Sequence, residues 1–466
     1  MSTIYESILQ STAYQKVKKG FHLVLKQNLS QIRSPKPSLV ELTDAYKKAV
    51  EKTEGLRGRE LFYKYIGSGA GNGALVELLD GSVKYDLITG IGVSFFGHGN
   101  LDLLDAQIDG IWGDVMQGNL QPNFEYGMLM EALLQASGSK SSLKHVWITS
   151  CGSTANEVAL KIIRQKKYPA TKIFTFSNCF AGRTTALQEI TDNPKYREGQ
   201  PTYGEVFYLP FYNMEDDSPP ELQAEKTVSL MREQINRYPG RFACLEFEII
   251  QGEGGFKTAP PEFFVPILEA AKNAGLAIWI DEIQTFGRTG EMFCFQRLGL
   301  DKYVDVVTVA KLLQTGAVLY SGEYNPKPGL VSGTFAGATS SLRAGYKVLD
   351  LLKTHCIGPQ GRIQQLEKIT LEEFKKLKSG PLGKILLDYT VMGGMIAFTI
   401  FQGELEYVKK FLHKFWDCGA IAFYCGHEKY RVRLLPPFGV ISDEQWHEVF
   451  ALIAQALEQT IKEIEK

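Results

Sequence analysis

Two short, largely apolar runs in this chain each end in a group that can do chemistry. Ile278-Trp-Ile-Asp281 ends in a carboxylate, and Val304-Asp-Val-Val-Thr-Val-Ala-Lys311 ends in an amine. Near-continuous apolar runs of this length read as strands buried on both faces of a parallel sheet. Ligands of open α/β sheets bind just beyond the carboxyl ends of such strands, so Asp281 and Lys311 should meet in one crevice. A buried carboxylate beside a lysine suits pyridoxal 5'-phosphate (PLP). The lysine forms a Schiff base, and the carboxylate keeps the pyridine nitrogen protonated.

A phosphate needs its own cradle. Thr149-Ser-Cys-Gly-Ser-Thr-Ala-Asn-Glu157 follows the apolar segment Lys144–Ile148 and should open a helix. Thr154 and Glu157 have the spacing of a capping box. Gly152 lets a ligand approach the backbone, and free amides at a helix start hold a phosphate dianion. Alone, the segment also fits an ordinary strand–turn–helix with a good cap.

These groups need a scaffold. From about residue 100 to 350, helical patterns alternate with short apolar runs at 144–149, 172–176, 205–209, 242–248, 276–281, 304–310 and 316–321. That alternation predicts a doubly wound, mainly parallel sheet in an α/β fold. Before it, residues 1–60 carry helical spacing, broken by a loop at Ser34-Pro-Lys-Pro37. Segments 74–79 and 83–88 flank Asp80-Gly81 and read as a hairpin. Beyond about 350, amphipathic helices (359–378, 404–417, 442–463) mix with strands (394–401, 419–425, 430–435). The expected organisation is an N-terminal segment (1–100) packing with the small domain, a large cofactor-binding domain (101–350) and a smaller α+β domain (351–466).

The bulk numbers exclude other classes. The 466 residues are 44% hydrophobic and 22% charged, with a net charge of -1. No bulk field favours nucleic acid or an anionic membrane surface. The N-terminus lacks the basic and apolar regions of a signal peptide, and no apolar run reaches the roughly 18 residues that span a bilayer. Seven scattered cysteines without a CxxC pair suggest reduced thiols in the cytoplasm. The histidine spacing suggests no metal site.

Taken in order, the motifs resemble those of the class III (ornithine/acetylornithine/4-aminobutyrate-type) PLP-dependent aminotransferases, from about residue 75 to 440. The helix-start segment is similar to that family's Ser-Gly-x-x-Ala-Asn-Glu. Phe180-Ala-Gly-Arg-Thr184 resembles Phe/Tyr-His-Gly-Arg-Thr, and Glu248-Ile-Ile-Gln-Gly-Glu-Gly-Gly255 resembles Glu-Pro-x-Gln-Gly-Glu-Gly-Gly. Asp281-Glu-Ile-Gln284, Phe286-Gly-Arg-Thr-Gly290, Ala310-Lys311, Thr334-Phe-Ala-Gly337 and Arg433-Leu-Leu-Pro-Pro437 complete the set. The resemblance implies the type I fold of PLP-dependent transferases, with a large seven-stranded domain and a smaller α+β domain.

It also implies roles. Lys311 would be the Schiff-base lysine and the base that shuttles the proton between carbons. Asp281 would pair with the ring nitrogen, and Gln284 would contact the phenolic oxygen. Ile283 and Phe180 would sandwich the ring, with Glu248 lining the cofactor site. Backbone amides of Gly152 and Ser153 would hold the phosphate. Thr334 would reach the phosphate of the neighbouring subunit, which implies a homodimer with shared active sites. Arg183 and Arg433 would clamp carboxylates, a task suited to arginine's planar fork. Glu253 would mask Arg433 while an ω-amino donor is bound and swing away for the acceptor.

The implied reaction moves an ω-amino group (from an acetylornithine-, ornithine-, 4-aminobutyrate- or lysine-like donor) to 2-oxoglutarate, giving glutamate. It would run ping-pong through pyridoxamine phosphate. Two other readings stay open: a PLP-dependent racemase or aminomutase of the same fold, and a non-catalytic ligand-binding protein. The chain departs from the family pattern at Ala181, where histidine or tryptophan is usual, and at Ile249, where proline is usual. It is one residue short after Gln284, reads Leu-Leu-Gln-Thr-Gly after Lys311 where the family has a glycine-rich run, and has Ala338-Thr339 in place of Asn-Pro. These departures leave the donor's identity open.

Overall fold

The computed structural model describes residues 3–113 and 120–465. Seven strands form its central sheet: β1 (Leu143–Thr149), β2 (Lys172–Phe176), β3 (Val206–Leu209), β4 (Phe242–Phe247), β5 (Ala277–Asp281), β6 (Val306–Val309) and β7 (Gly316–Ser321). Their order is β1-β7-β6-β5-β4-β2-β3. Every neighbouring pair is parallel except those of β7, which runs antiparallel to β1 and β6. The mainly parallel seven-stranded sheet expected from the sequence is therefore present, and each expected strand lies within two residues of its place.

Alternation along the strands feeds two cores, because successive side chains leave a strand on opposite faces. Leu245, Phe247, Ile278, Ile280, Val307 and Val309 pack in the larger core. Cys244, Ala277, Trp279, Val306 and Val318 face the other way, against Ala155 and Ala159 of helix α1 (Gly152–Lys167). With apolar side chains on both faces, these strands show no polar–apolar alternation in sequence.

Leu75–Leu78 and Val83–Asp86 form the expected antiparallel hairpin. Gly81 sits at φ +76 in its turn, a conformation that costs a side-chain-bearing residue energy. The second hairpin strand also pairs in parallel with Ala420–Ile421 near the C-terminus. Helices Arg362–Ser379, Leu405–Cys418 and Asp443–Ile464 accompany a four-stranded antiparallel sheet. One of its strands, Leu386–Met392, was not expected from the sequence. It lies at the sheet's edge and is only half-buried, so polar Asp388 and Thr390 interrupt its apolar signal.

Candidate active site

The carboxyl ends of β1, β4, β5 and β6 converge on a cavity of about 390 Å³, which Lys311, Asp281, Gly152 and Glu248 all line. Asp281 is the last residue of β5, and Lys311 follows β6 by two positions. The adjacent strands pair Asp281 with Thr308, so chain connectivity alone brings carboxylate and amine together. Lys311 adopts φ +54 and Gln314 φ +65 around a tight turn. Such backbone costs a non-glycine residue about 1–3 kcal/mol and clusters at functional sites.

Asp281 is buried and tightly held. Its Oδ2 accepts from Asn156 Nδ2 at 2.7 Å and its Oδ1 from the Ile283 amide at 2.8 Å. Burial pushes its carboxyl up to about 6, against those two hydrogen bonds and the charge of Lys311. Burial lowers the Lys311 amine to about 8; Arg433 and Arg288 add to this, while Asp281 and Glu248 oppose it. A lysine poised there is partly neutral near physiological pH, the form that attacks a carbonyl.

Glu248 acts as a bracket. Its Oε1 accepts from the Phe180 amide and its Oε2 from the Gly252 amide, each at 2.9 Å. Burial and the nearby Asp281 push its carboxyl well above the usual range. Phe180 and Ile283 both line the cavity. A Cβ on Gly152 would meet Ile283 Cδ1 at 2.9 Å, so glycine is what lets Ile283 lie against the helix start.

The helix start differs from its expected form. The cap is Cys151, and Thr154 closes the box: the Cys151 amide donates to Thr154 Oγ1 at 3.0 Å. Glu157 instead accepts from the Thr184 hydroxyl. The helix therefore begins at Gly152, and Gly152 and Ser153 form its first turn, lining the cavity. Burial disfavours the Cys151 thiolate, yet hydrogen bonds from Thr154 and Ser153 outweigh it and hold this thiol below its ordinary value.

Arg433 Nη1 meets Glu253 Oε1 at 2.9 Å. The arginine is 1% exposed, and its buried Nε has no hydrogen-bond partner among the described residues. Arg183 is exposed and stacks its guanidinium 3.7 Å from the centre of the Tyr196 ring, with no carboxylate in ion-pair range among the described residues. Thr334 is not brought to the cavity of its own chain. It lies on an exposed turn beside Phe335, which is 72% exposed.

The family description "Aminotransferase class-III" matches residues 64–457. The chain belongs to the class-III aminotransferases. It is 30% identical over 334 residues to the acetylornithine aminotransferase of Oceanobacillus iheyensis, covering 68% of this chain and 76% of that protein. It is 29% identical over 403 residues to the 2-aminoadipate transaminase of Pseudomonas putida, covering 83% and 94%. Among solved structures, the lysine aminotransferase of M. tuberculosis superposes with a TM-score of 0.79 at 20% identity, covering 88% of this chain and 99% of that one, a likeness of fold.

The cofactor of class-III aminotransferases is PLP, and this aminotransferase's cavity fits it. Gln284 Oε1 is buried with no hydrogen-bond partner among the described residues. The Gln284 amide lines the cavity, as does the first turn of α1, whose amides lack intrahelical acceptors. With Asp281 and Lys311, these groups match an anionic phosphate, a cationic ring nitrogen and a reactive carbonyl.

Two residues of the site escaped the sequence reading. Asn156 lies inside the quoted helix-start motif, one helical turn from Gly152, and that i to i+4 spacing was the available signal. Arg288 is 1% exposed, donates to the Gln284 and Gly92 carbonyls, and has no carboxylate partner among the described residues. Burial lowers its guanidinium to about 9.

Proposed function

We propose that this aminotransferase moves an ω-amino group from an amino-acid-like donor to 2-oxoglutarate, giving glutamate in a ping-pong cycle. The observation that carries this reading is the Glu253–Arg433 pair at 2.9 Å, in which the arginine's Nε is left without a partner among the described residues. A buried arginine with spare donor capacity suits a carboxylate, and a movable glutamate masks it when no second carboxylate is present. Arg183 then binds the carboxylate common to donor and acceptor.

When bound, PLP supplies an electrophilic carbonyl and an electron sink, and it stores the nitrogen between half-reactions. Lys311 Nζ would be the amine that holds the cofactor and, when free, the base that removes and returns the proton at the reacting carbon. Asp281, oriented by Asn156, would keep the ring nitrogen protonated, and Gln284 would donate to the phenolic oxygen. Phe180 and Ile283 would flank the ring and exclude water. Gly152 and Ser153 amides would hold the phosphate, with Thr334 supplied from the partner in a homodimer. The exposed turn at Thr334–Phe335 supports that assembly, and seven free cysteines support a reducing, cytoplasmic setting.

Product analysis tests the proposal. The PLP-loaded protein, given 2-oxoglutarate and a panel of ω-amino acids and diamines, should form glutamate with at least one donor. Failure with every ω-amine, alongside turnover of an α-amino acid alone, would overturn the ω-specific reading.

A further inference from the structure

Below the cavity floor lies a carboxyl that the proposed reaction does not use. Glu246 is on β4, in register with Trp279 of β5, two residues before Asp281. Side chains two apart on a strand share a face, so Glu246, Trp279 and Asp281 point to the side of the sheet covered by α1. Asn156 comes down from α1 on that same side. Both Glu246 and Asn156 are 0% exposed.

Each has one atom satisfied and one left over. Glu246 Oε2 accepts from Thr175 Oγ1 at 2.8 Å, but Oε1 has no partner among the described residues. Asn156 Nδ2 donates to the Ala181 carbonyl and to Asp281 Oδ2, each at 2.7 Å, but Oδ1 has no partner among the described residues. A lone ionised carboxylate there, with no cation paired to it among the described residues, would carry a large desolvation cost. A protonated carboxyl avoids that cost and turns Oε1 into a donor. The Asn156 Oδ1 acceptor, on the same side of the sheet, is likewise unsatisfied among the described residues.

We propose that Glu246 is a protonated positioning residue, donating from Oε1 to Asn156 Oδ1 and so fixing the amide that holds Asp281 against the cofactor ring. Burial and the nearby Asp281 push the Glu246 carboxyl up to about 8, in line with a proton retained at neutral pH. Among the described residues, the titratable groups coupled to it are Asp281, Glu248, Cys179 and Cys244, all buried and none cationic. The role rests on the reading that Asp281 faces the ring nitrogen.

Two variants separate positioning from simple packing. Glu246→Gln keeps a neutral group able to donate to Asn156; Glu246→Met fills similar space without a donor. Apoprotein of each is titrated with PLP, followed by quenching of its tryptophan fluorescence. The expected result is a Kd within about threefold of wild type for E246Q and a roughly tenfold loss for E246M, a factor set by one hydrogen bond. Asn156→Ala should lose a similar factor, and the double variant E246M/N156A should lose no more than the larger single loss. Unchanged affinity in E246M, or fully additive losses, would overturn the proposal.

Infrared difference spectra of folded apoprotein, wild type minus E246Q at neutral pH, read the proton directly. The expected result is one protonated-carboxyl band in the wild type; a carboxylate band in its place would overturn the proposal even if E246M failed to fold. Failure of the Asp281 reading is distinguishable: Asp281→Asn would then leave PLP affinity unchanged while the infrared band persisted.

Discussion

Asn156 Nδ2 lies 2.7 Å from Asp281 Oδ2 and the same distance from the Ala181 carbonyl, so one amide ties a helix, a strand end and a loop together. The carboxylate is placed by a residue that does no chemistry itself. Arg433 stands in a comparable relation to Glu253, with its Nη1 2.9 Å from the carboxylate.

Substitutions at that pair should separate the two half-reactions. Arg433→Ala removes a charge-assisted contact of roughly 1.5–3 kcal/mol, so KM for 2-oxoglutarate should rise on the order of 10- to 100-fold. Glu253→Gln unmasks the arginine; KM for the ω-amino donor should rise while that for 2-oxoglutarate holds or falls. Steady-state kinetics with each substrate varied in turn check both. An unchanged 2-oxoglutarate KM in R433A would reassign this arginine to structure.

Lys311 should react at a lower pH than an ordinary lysine. Burial, Arg433 and Arg288 lower its amine to about 8, and only the neutral amine attacks. The rate of PLP capture by apoprotein should therefore climb with pH and level off above about 8. Arg433→Ala removes one of the neighbouring positive charges and should move the midpoint upward. A wild-type midpoint near the usual lysine value of about 10.4 would contradict this.

The buried acids should make the apoprotein less stable as pH rises. Asp281 is pushed up to about 6 and Glu282 to about 7, in each case chiefly by burial. Between the unfolded-state value of about 4 and these folded values, the fold keeps a proton that the unfolded chain has released, so raising the pH favours unfolding. This is the reverse of a salt-bridged surface acid. Thermal melts of apoprotein should show the loss beginning near pH 4, with the part due to Asp281 and Glu282 complete by about 7, and Glu282→Gln should flatten that part. Equal slopes in both proteins would sink the assignment.

Much of this site was legible in the sequence because its chemistry sits at strand ends. The strands carrying Asp281 and Lys311 are buried on both faces, and uninterrupted apolar runs with a terminal charge are hard to mistake. The hairpin was visible because Asp80-Gly81 demands a positive φ. What stayed hidden was held by contacts between distant residues. Asn156 reads as an ordinary helix residue until Asp281 is placed beside it, 125 positions later. The cap shifted from Thr154 to Cys151 because a thiol is a weak hydrogen-bonding group that sequence rules pass over. Gln314 occupies the left-handed conformation in the stretch where the family's glycine-rich run was expected, so that departure is absorbed at φ +65 without loss of the turn.

The exposed turn at Thr334 should be covered by a second subunit. Phe335→Glu places a charge where an apolar ring is now 72% exposed, and it should shift the protein toward monomers with weakened PLP binding. Sedimentation velocity reads the first effect and cofactor titration the second. A dimer unaffected by the substitution would place the interface elsewhere.

Transfer of an ω-amino group is read from the visible absorbance of the PLP-loaded protein, given one ω-amino donor with no acceptor present. The cofactor band should bleach with that donor and return when 2-oxoglutarate is added. A band that no ω-amine disturbs, in a protein that binds PLP at Lys311, would contradict it.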